Sequence, residues 1–218
     1  KEIKFISMQT NGTLLTKDLI KNLESAGLNR INISLHTLNE EKAKQLFGNQ
    51  NYNLKKVLES IKEISKTKIQ LNLVPVWLPK VNDEDLIELI RFAKELNCLI
   101  GIQKYEIYKF SRKEKKAKQL TWFKFFRHLK ALETAENYKL MQTANDFNIK
   151  KTKRIPLVFE KNEIINATVI CKGWFKDQVI ASAKNRAITI VDCTENPAKN
   201  IRVKILNNSD SIYIAKKA

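Results

Sequence analysis

In four places in this 218-residue chain, polar side chains sit at the ends of short apolar runs or interrupt them. Thr10 and Asn11 follow the run from Ile3 to Gln9. Ser34 and His36 end Ile31-Asn32-Ile33-Ser34-Leu35-His36, Asn72 interrupts Gln70 to Pro75, and Gln103 precedes Lys104-Tyr105-Glu106. Hydroxyls, carboxamides and one imidazole at such positions offer hydrogen bonds to a ligand at the carboxyl ends of strands, where α/β folds gather their binding groups. Each residue also has a plainer use: Thr10, Asn11 and Gly12 make a turn, and His36 and Asn72 can be satisfied by neighbouring backbone.

A second set of residues suits a polyanion. Lys172, Trp174, Phe175 and Lys176 form a loop that can stack bases and meet phosphates, and Lys184-Asn185-Arg186 make the next turn, expected to extend the same surface. Lys124 and Arg127 lie among Trp122, Phe123, Phe125 and Phe126. Helical spacing puts positions 122, 126 and 129 on one face, which is expected to be core, with the cations left for phosphate on the others.

Charge agrees with that partner. The net charge of +17 is concentrated in residues 104–154, which carry 15 basic and 5 acidic groups, against 15 and 12 in residues 1–103 and 10 and 6 in residues 155–218. Such a block draws in nucleic acid through release of condensed counterions. Cys98, Cys171 and Cys193 are far apart, show no metal-binding spacing and read as buried apolar residues in a reducing compartment. No apolar run is long enough to span a bilayer, so no membrane partner and a cytoplasmic location are expected.

The elements that must position these groups alternate. Strands are predicted over Ile3 to Gln9, Arg30 to Leu35, Lys68 to Val76 and Leu99 to Tyr108. Helices follow from Lys17 to Ala26, Asn39 to Phe47, Leu54 to Ser65, Asp83 to Leu96 and Thr121 to about Asn137, with Thr16, Asn53 and Asn82 as N-caps. Four strand–helix units favour parallel pairing with helices outside. They make part of a barrel, and the open edge at Ile3 to Gln9 invites a further segment. After a linker at 148–155 the grammar changes to five short strands in residues 156–218, a small antiparallel barrel.

In order and spacing, Thr10-Asn11-Gly12-Thr13-Leu14-Leu15, the Ile-Ser-Leu-His strand end, and Gln70 to Pro75 leading to Asn82-Asp83-Glu84 resemble the later half of a radical S-adenosylmethionine (SAM) domain. Residues 156–218, with Arg202 to Leu206 and Ile212 to Ala215, resemble a TRAM domain, an OB-like RNA-binding barrel. The combination is similar to archaeal predicted iron-sulfur oxidoreductases. The resemblance implies a half TIM-like barrel over 1–147 with a basic helical extension, SAM and a [4Fe-4S] cluster as cofactors, and RNA, tRNA first, as partner. It places Thr10, Asn11, Ser34, His36, Asn72 and Gln103 near SAM, and Lys124, Arg127, Lys172, Trp174, Lys176, Lys184 and Arg186 on RNA. The CxxxCxxC loop and the Gly-Gly-Glu strand end of such enzymes are absent, so a preceding segment or second chain is expected to bring the cluster. Two other functions fit the same residues: a non-enzymatic RNA-binding protein on a degenerate barrel, and a radical SAM enzyme acting on a peptide or small molecule.

Overall fold

The computed structural model describes residues 4–107, 113–149 and 155–218. The described residues fall into two compact units, 4–107 with 113–149, and 155–218.

The first unit is built on a sheet of four parallel strands, β1 (Ser7–Thr10), β2 (Arg30–Ile33), β3 (Gln70–Leu73) and β5 (Leu99–Ile100), in that spatial order. Two short strands, β4 (Val76–Trp77) and β6 (Gln103–Lys104), continue β3 and β5 as a separate parallel pair. The long third and fourth strands predicted from the sequence are thus each broken, at Val74-Pro75 and at Gly101-Ile102. Proline has no N–H for a ladder, which accounts for the first break.

Helices α1 (Lys17–Ser25), α2 (Glu40–Phe47), α3 (Leu54–Ile64), α4 (Asp83–Glu95) and α5 (Trp122–Glu136) follow the strands. Their starts are local chemistry. Thr16, Asn39, Asn53 and Thr121 each accept a backbone N–H three residues on. Such caps contribute about 1 kcal/mol each. Val57, Ile61 and Ile64 of α3 and Leu86, Leu89, Ile90 and Ala93 of α4 are wholly buried against Ile31, Ile33, Leu73 and Ile100. At Gly12, φ is +80° and a Cβ would come within 3.0 Å of Val57 Cγ1, so the β1–α1 turn lies close against α3 only because that residue is glycine.

Two corrections concern side chains. Asn82 holds the N-cap position of α4 but makes no capping bond. Fully buried, it donates to the carbonyls of His36 (3.2 Å) and Val76 (3.0 Å) and accepts from Leu78 N–H (2.8 Å), joining the continuation of β2 to β4. His36 strengthens the same joint: its Nδ1 accepts from Val76 N–H at 3.1 Å while its ring stacks on Phe47. Burial lowers the His36 pKa to about 4. In α5 the buried residues are Phe125 and Leu129, so of the expected 122, 126 and 129 only Leu129 is core and Phe125 takes the place of Phe126. Trp122 and Phe126 are exposed.

The second unit is a closed five-stranded barrel of β7 (Ile164–Lys172), β8 (Gln178–Ala183), β9 (Arg186–Val191), β10 (Asn200–Asn207) and β11 (Tyr213–Lys217). Its core holds Val169, Ala181, Ile188, Ile190, Val203, Ile205 and Tyr213. Four of its pairings are antiparallel, but β9 and β11 run parallel, so the barrel is not purely antiparallel as expected. Five strands cannot alternate in direction all the way round a closed barrel, so one neighbouring pair has to run parallel.

Asn82→Ala leaves two carbonyls and one N–H unpaired in the interior, and we expect a loss of about 3 kcal/mol in urea unfolding of the first unit. An Asn53→Ala control should lose about 1 kcal/mol. Because the folded His36 pKa lies below the unfolded value of 6.5, its contribution is complete above pH 6.5 and is lost as pH falls towards 4. That window spans about 3 kcal/mol at about 1.4 kcal/mol per pH unit. His36→Asn, which keeps an acceptor for Val76 N–H, should flatten the stability profile in that range.

Candidate functional site

Strand alternation divides the first sheet into two faces. Met8, Thr10, Ile31, Ile33, Leu71, Leu73 and Ile100 share the face towards the helices, and Ser7, Gln9, Arg30, Asn32, Gln70, Asn72 and Leu99 share the other, with Gln9, Asn32, Asn72 and Leu99 level across the strands. This second face is polar in a parallel sheet, where both faces are ordinarily apolar.

Its hydrogen bonds form a one-way relay. Asn32 Nδ2 donates to Ser7 Oγ (3.0 Å) and to the Met8 carbonyl (3.3 Å). A carbonyl only accepts, so Asn32 must turn its amide nitrogen to β1 and its Oδ1 to β3. Asn72 therefore meets that oxygen with Nδ2, at 2.9 Å. Its own Oδ1 is left buried with no partner, on a residue only 4% exposed. Gly101 lies beside it: a Cβ there would come within 3.5 Å of both Asn72 amide atoms. The missing side chain leaves room for a small donor group.

The amino-terminal end of this face is plugged. Arg30 is buried, with Nε and Nη2 donating to Gln70 Oε1 at 2.8 and 2.6 Å and with Nη1 and Nη2 donating to the Phe147 and Asp146 carbonyls at 3.2 and 3.1 Å. Its guanidinium also lies against the Phe5 and Phe147 rings. A ligand must therefore come from the carboxyl-end side, where the predicted residues lie.

There the structure sorts them. Ser34, two residues beyond Asn32 and so on the same face, is half-buried with no hydroxyl partner among the described residues. Asn11 is exposed, its Oδ1 accepting from Thr13 N–H (3.2 Å) and Thr13 Oγ1 (2.9 Å), which leaves its amide nitrogen outward. Gln103 is exposed at the start of β6. Thr10 shares the helix-side face with Ile33 and uses Oγ1 to accept Gly12 N–H at 3.1 Å, so it serves the turn. His36 serves the joint with β4. Ser34 and Asn72 thus keep unused hydrogen-bonding atoms and Asn11 and Gln103 are exposed, while Thr10 and His36 are engaged in the framework.

Asn32, Arg30 and Asn82 belong to this site or hold its rim, and the residue types alone did not single them out. Asn32 carried a signal: an amide between Ile31 and Ile33 in a strand otherwise rich in Ile and Leu.

The predicted cationic residues are divided between the two units. Lys124 and Arg127 are exposed on α5 in the first unit. In the second, Lys172, Trp174 and Lys176 sit at the β7–β8 end, where Trp174 is 75% exposed and Phe175 lies next to it. Lys184 and Arg186 sit at the other end of β8, a separation of about 20 Å at 3.3 Å per residue. They do not extend the Trp174 surface. Lys184 Nζ lies 5.3 Å from the Phe159 ring centroid, and Arg186 Nη1 donates to the Asn185 carbonyl. Cys98 and Cys193 are buried, and burial pushes the Cys98 thiol up to about 12; Cys171 is exposed, contrary to expectation. Among the described residues no three His, Cys, Asp or Glu side chains are grouped to hold a metal ion. No helix among them is long and apolar enough to cross a membrane.

Comparison with known proteins bears on the first unit. Residues 1–93 match the sequence model of the Radical SAM superfamily. An uncharacterized protein of Methanocaldococcus jannaschii is 35% identical over 96% of this chain and 54% of its own length. The GTP 3',8-cyclase of Aliarcobacter butzleri is 46% identical over 44% of this chain and 28% of its own. The chain thus spans about half, or less, of these relatives. Among solved structures, a radical SAM methyltransferase from Sphaerobacter thermophilus aligns with a TM-score of 0.48 at 17% identity, over 62% of this chain and 39% of that one. Residues 1–93 of the first unit are thus similar in sequence to the Radical SAM superfamily, whose members use SAM and a [4Fe-4S] cluster.

Proposed function

We propose that the first unit holds SAM against the polar face of its sheet as part of a radical SAM enzyme, and that the second unit grips the RNA this enzyme modifies, with tRNA the first substrate to test. The observation that carries the reading is the unpartnered Asn72 Oδ1 on the polar face of a unit matching that family. A buried acceptor left empty costs about 1–3 kcal/mol, which a donor from a ligand would recover. SAM offers an ammonium, ribose hydroxyls and an adenine amine. In this reading Asn72 accepts one of these, Ser34 and the Asn11 and Gln103 amides orient the rest, and the Arg30 plug keeps water from below. In a complete enzyme, SAM held by Asn72 and Ser34 and reduced by one electron from the cluster would supply hydrogen-atom abstraction from substrate.

The residues present do not fit the cluster. Its ligands belong, in this reading, to a preceding segment or a second chain. Strand β1 pairs with β2 on one side only and ends the sheet, leaving an edge that such a segment could extend.

The RNA half rests on the barrel. A closed five-stranded barrel with the fifth strand beside the third is consistent with the OB-like, TRAM-type reading, and such barrels bind oligonucleotides through strands two and three and the loop between strands one and two. That loop here is 173–177, with Trp174. A small-molecule reading, a purine nucleotide as substrate, is favoured by the 46% identity to a GTP 3',8-cyclase.

Expressed with the upstream segment of its gene and supplied with iron and sulfide, the protein should be brown and cleave SAM under dithionite. Colourless protein with no cleavage would overturn the enzymatic reading. In that protein Asn72→Leu should raise KM for SAM about five- to thirtyfold, the equivalent of about 1–2 kcal/mol. Trp174→Ala in this chain should weaken tRNA binding about tenfold, within the range for loss of one base-stacking ring. Turnover of GTP without any RNA binding would select the small-molecule reading instead.

A further inference from the structure

The exposed face of α5 combines apolar rings with cations. Trp122, Phe123 and Phe126 are 56%, 73% and 45% exposed, and Lys124, Arg127 and Lys130 are exposed beside them. At 100° per residue, Trp122, Phe126, Lys130, Phe123 and Arg127 follow one another within about 140° of arc, which starts beside the buried Leu129 and Phe125 and turns away from them. The rings are held in place. Trp122 stacks on Phe126 at 5.6 Å and 24°, Lys104 Nζ lies 4.8 Å from the Trp122 ring centroid, and the Arg127 guanidinium lies 5.8 Å from the Phe123 centroid. Lys104 is itself fixed by Glu106 and the Leu120 carbonyl.

Three large exposed rings on one helix exceed the scattered apolar residues of an ordinary surface and mark a binding site. The choice of partner comes from charge. Residues 104–154 carry 15 basic and 5 acidic groups, and the segment leading into the helix adds exposed Lys113, Lys115, Lys116 and Lys118. An apolar protein surface would gain nothing from this ring of cations, whereas a single strand of RNA offers bases for the rings and phosphates for the cations. A duplex hides its base faces and could use the cations alone.

We propose that α5 is a second RNA contact, on the unit similar in sequence to the Radical SAM superfamily, which stacks unpaired bases on Phe123 and on the Trp122–Phe126 pair and takes adjacent phosphates with Arg127, Lys124 and Lys130. It rests on the RNA reading above and deepens it: the substrate reaches the enzyme with an unpaired segment over α5, independently of Trp174.

The test is binding of a fluorescent twelve-nucleotide oligouridylate, and of a twelve-base-pair RNA duplex, to the full chain. Phe123→Ala and Phe126→Ala are chosen because exposed rings can be removed without opening the core, and thermal unfolding should be unchanged. Each should weaken oligouridylate binding about five- to thirtyfold, the equivalent of about 1–2 kcal/mol, and leave duplex binding within twofold. Arg127→Gln should lower the slope of log K against log salt by about 0.7. If both phenylalanine variants bind oligouridylate as the parent does while Trp174→Ala does not, the α5 proposal fails and the RNA reading stands. If the parent binds neither RNA, both fail. Loss of self-association in the variants, with RNA binding intact, would show that the face docks protein and overturn the proposal.

Discussion

The Met8 carbonyl decides the orientation of two asparagines and, through them, the chemistry of the inner face. Because that carbonyl can only accept, Asn32 must donate to it, Asn72 must donate to Asn32, and the last oxygen in the line has nothing left to bind. Such a line is set by the register of three parallel strands, in which Gln9, Asn32 and Asn72 stand level. A slip of one residue would send these amides among the helices and put Ile31, Ile33 and Leu73 on the inner face. The apolar packing of α3 and α4 therefore fixes the polar site, although none of those helix residues touches it.

The same division runs through the rest of the unit. At the amino-terminal end Arg30 is satisfied by carbonyls and rings, with no carboxylate partner among the described residues, which closes that end without placing an anionic side chain against the guanidinium. At the carboxyl end, His36 and Asn82 join the extensions of β2 and β4 with bonds to backbone, and a neutral imidazole suits that place because burial disfavours its charge. Between the Arg30 plug and this joint, Ser34 and Asn72 retain unused hydrogen-bonding capacity.

Much of this was legible in the sequence. The three-four spacing in α3 and α4 and the caps Thr16 of α1 and Asn53 of α3 are readable directly, because these signals are local. What failed was non-local. Asn82 looks like a cap from its neighbours but bonds to strands forty-six and six residues away. The aromatic run of α5 offers Phe125 or Phe126 to the core beside Leu129, and only the position of Trp77 beside Phe125 selects between them. Lys184 and Arg186 are close to Trp174 in sequence, yet a six-residue strand separates them. Asn72 was legible as an inward polar residue, but its unsatisfied oxygen depends on Met8, sixty-four residues earlier in the chain.

The most direct test of the central claim is a crystal structure of the protein expressed with its upstream segment, loaded with cluster and soaked with SAM. A donor of the bound cofactor should lie within hydrogen-bond distance of Asn72 Oδ1, with Ser34 in contact with the same molecule. SAM bound elsewhere, with Asn72 Oδ1 still unpartnered beside Gly101, would contradict the account.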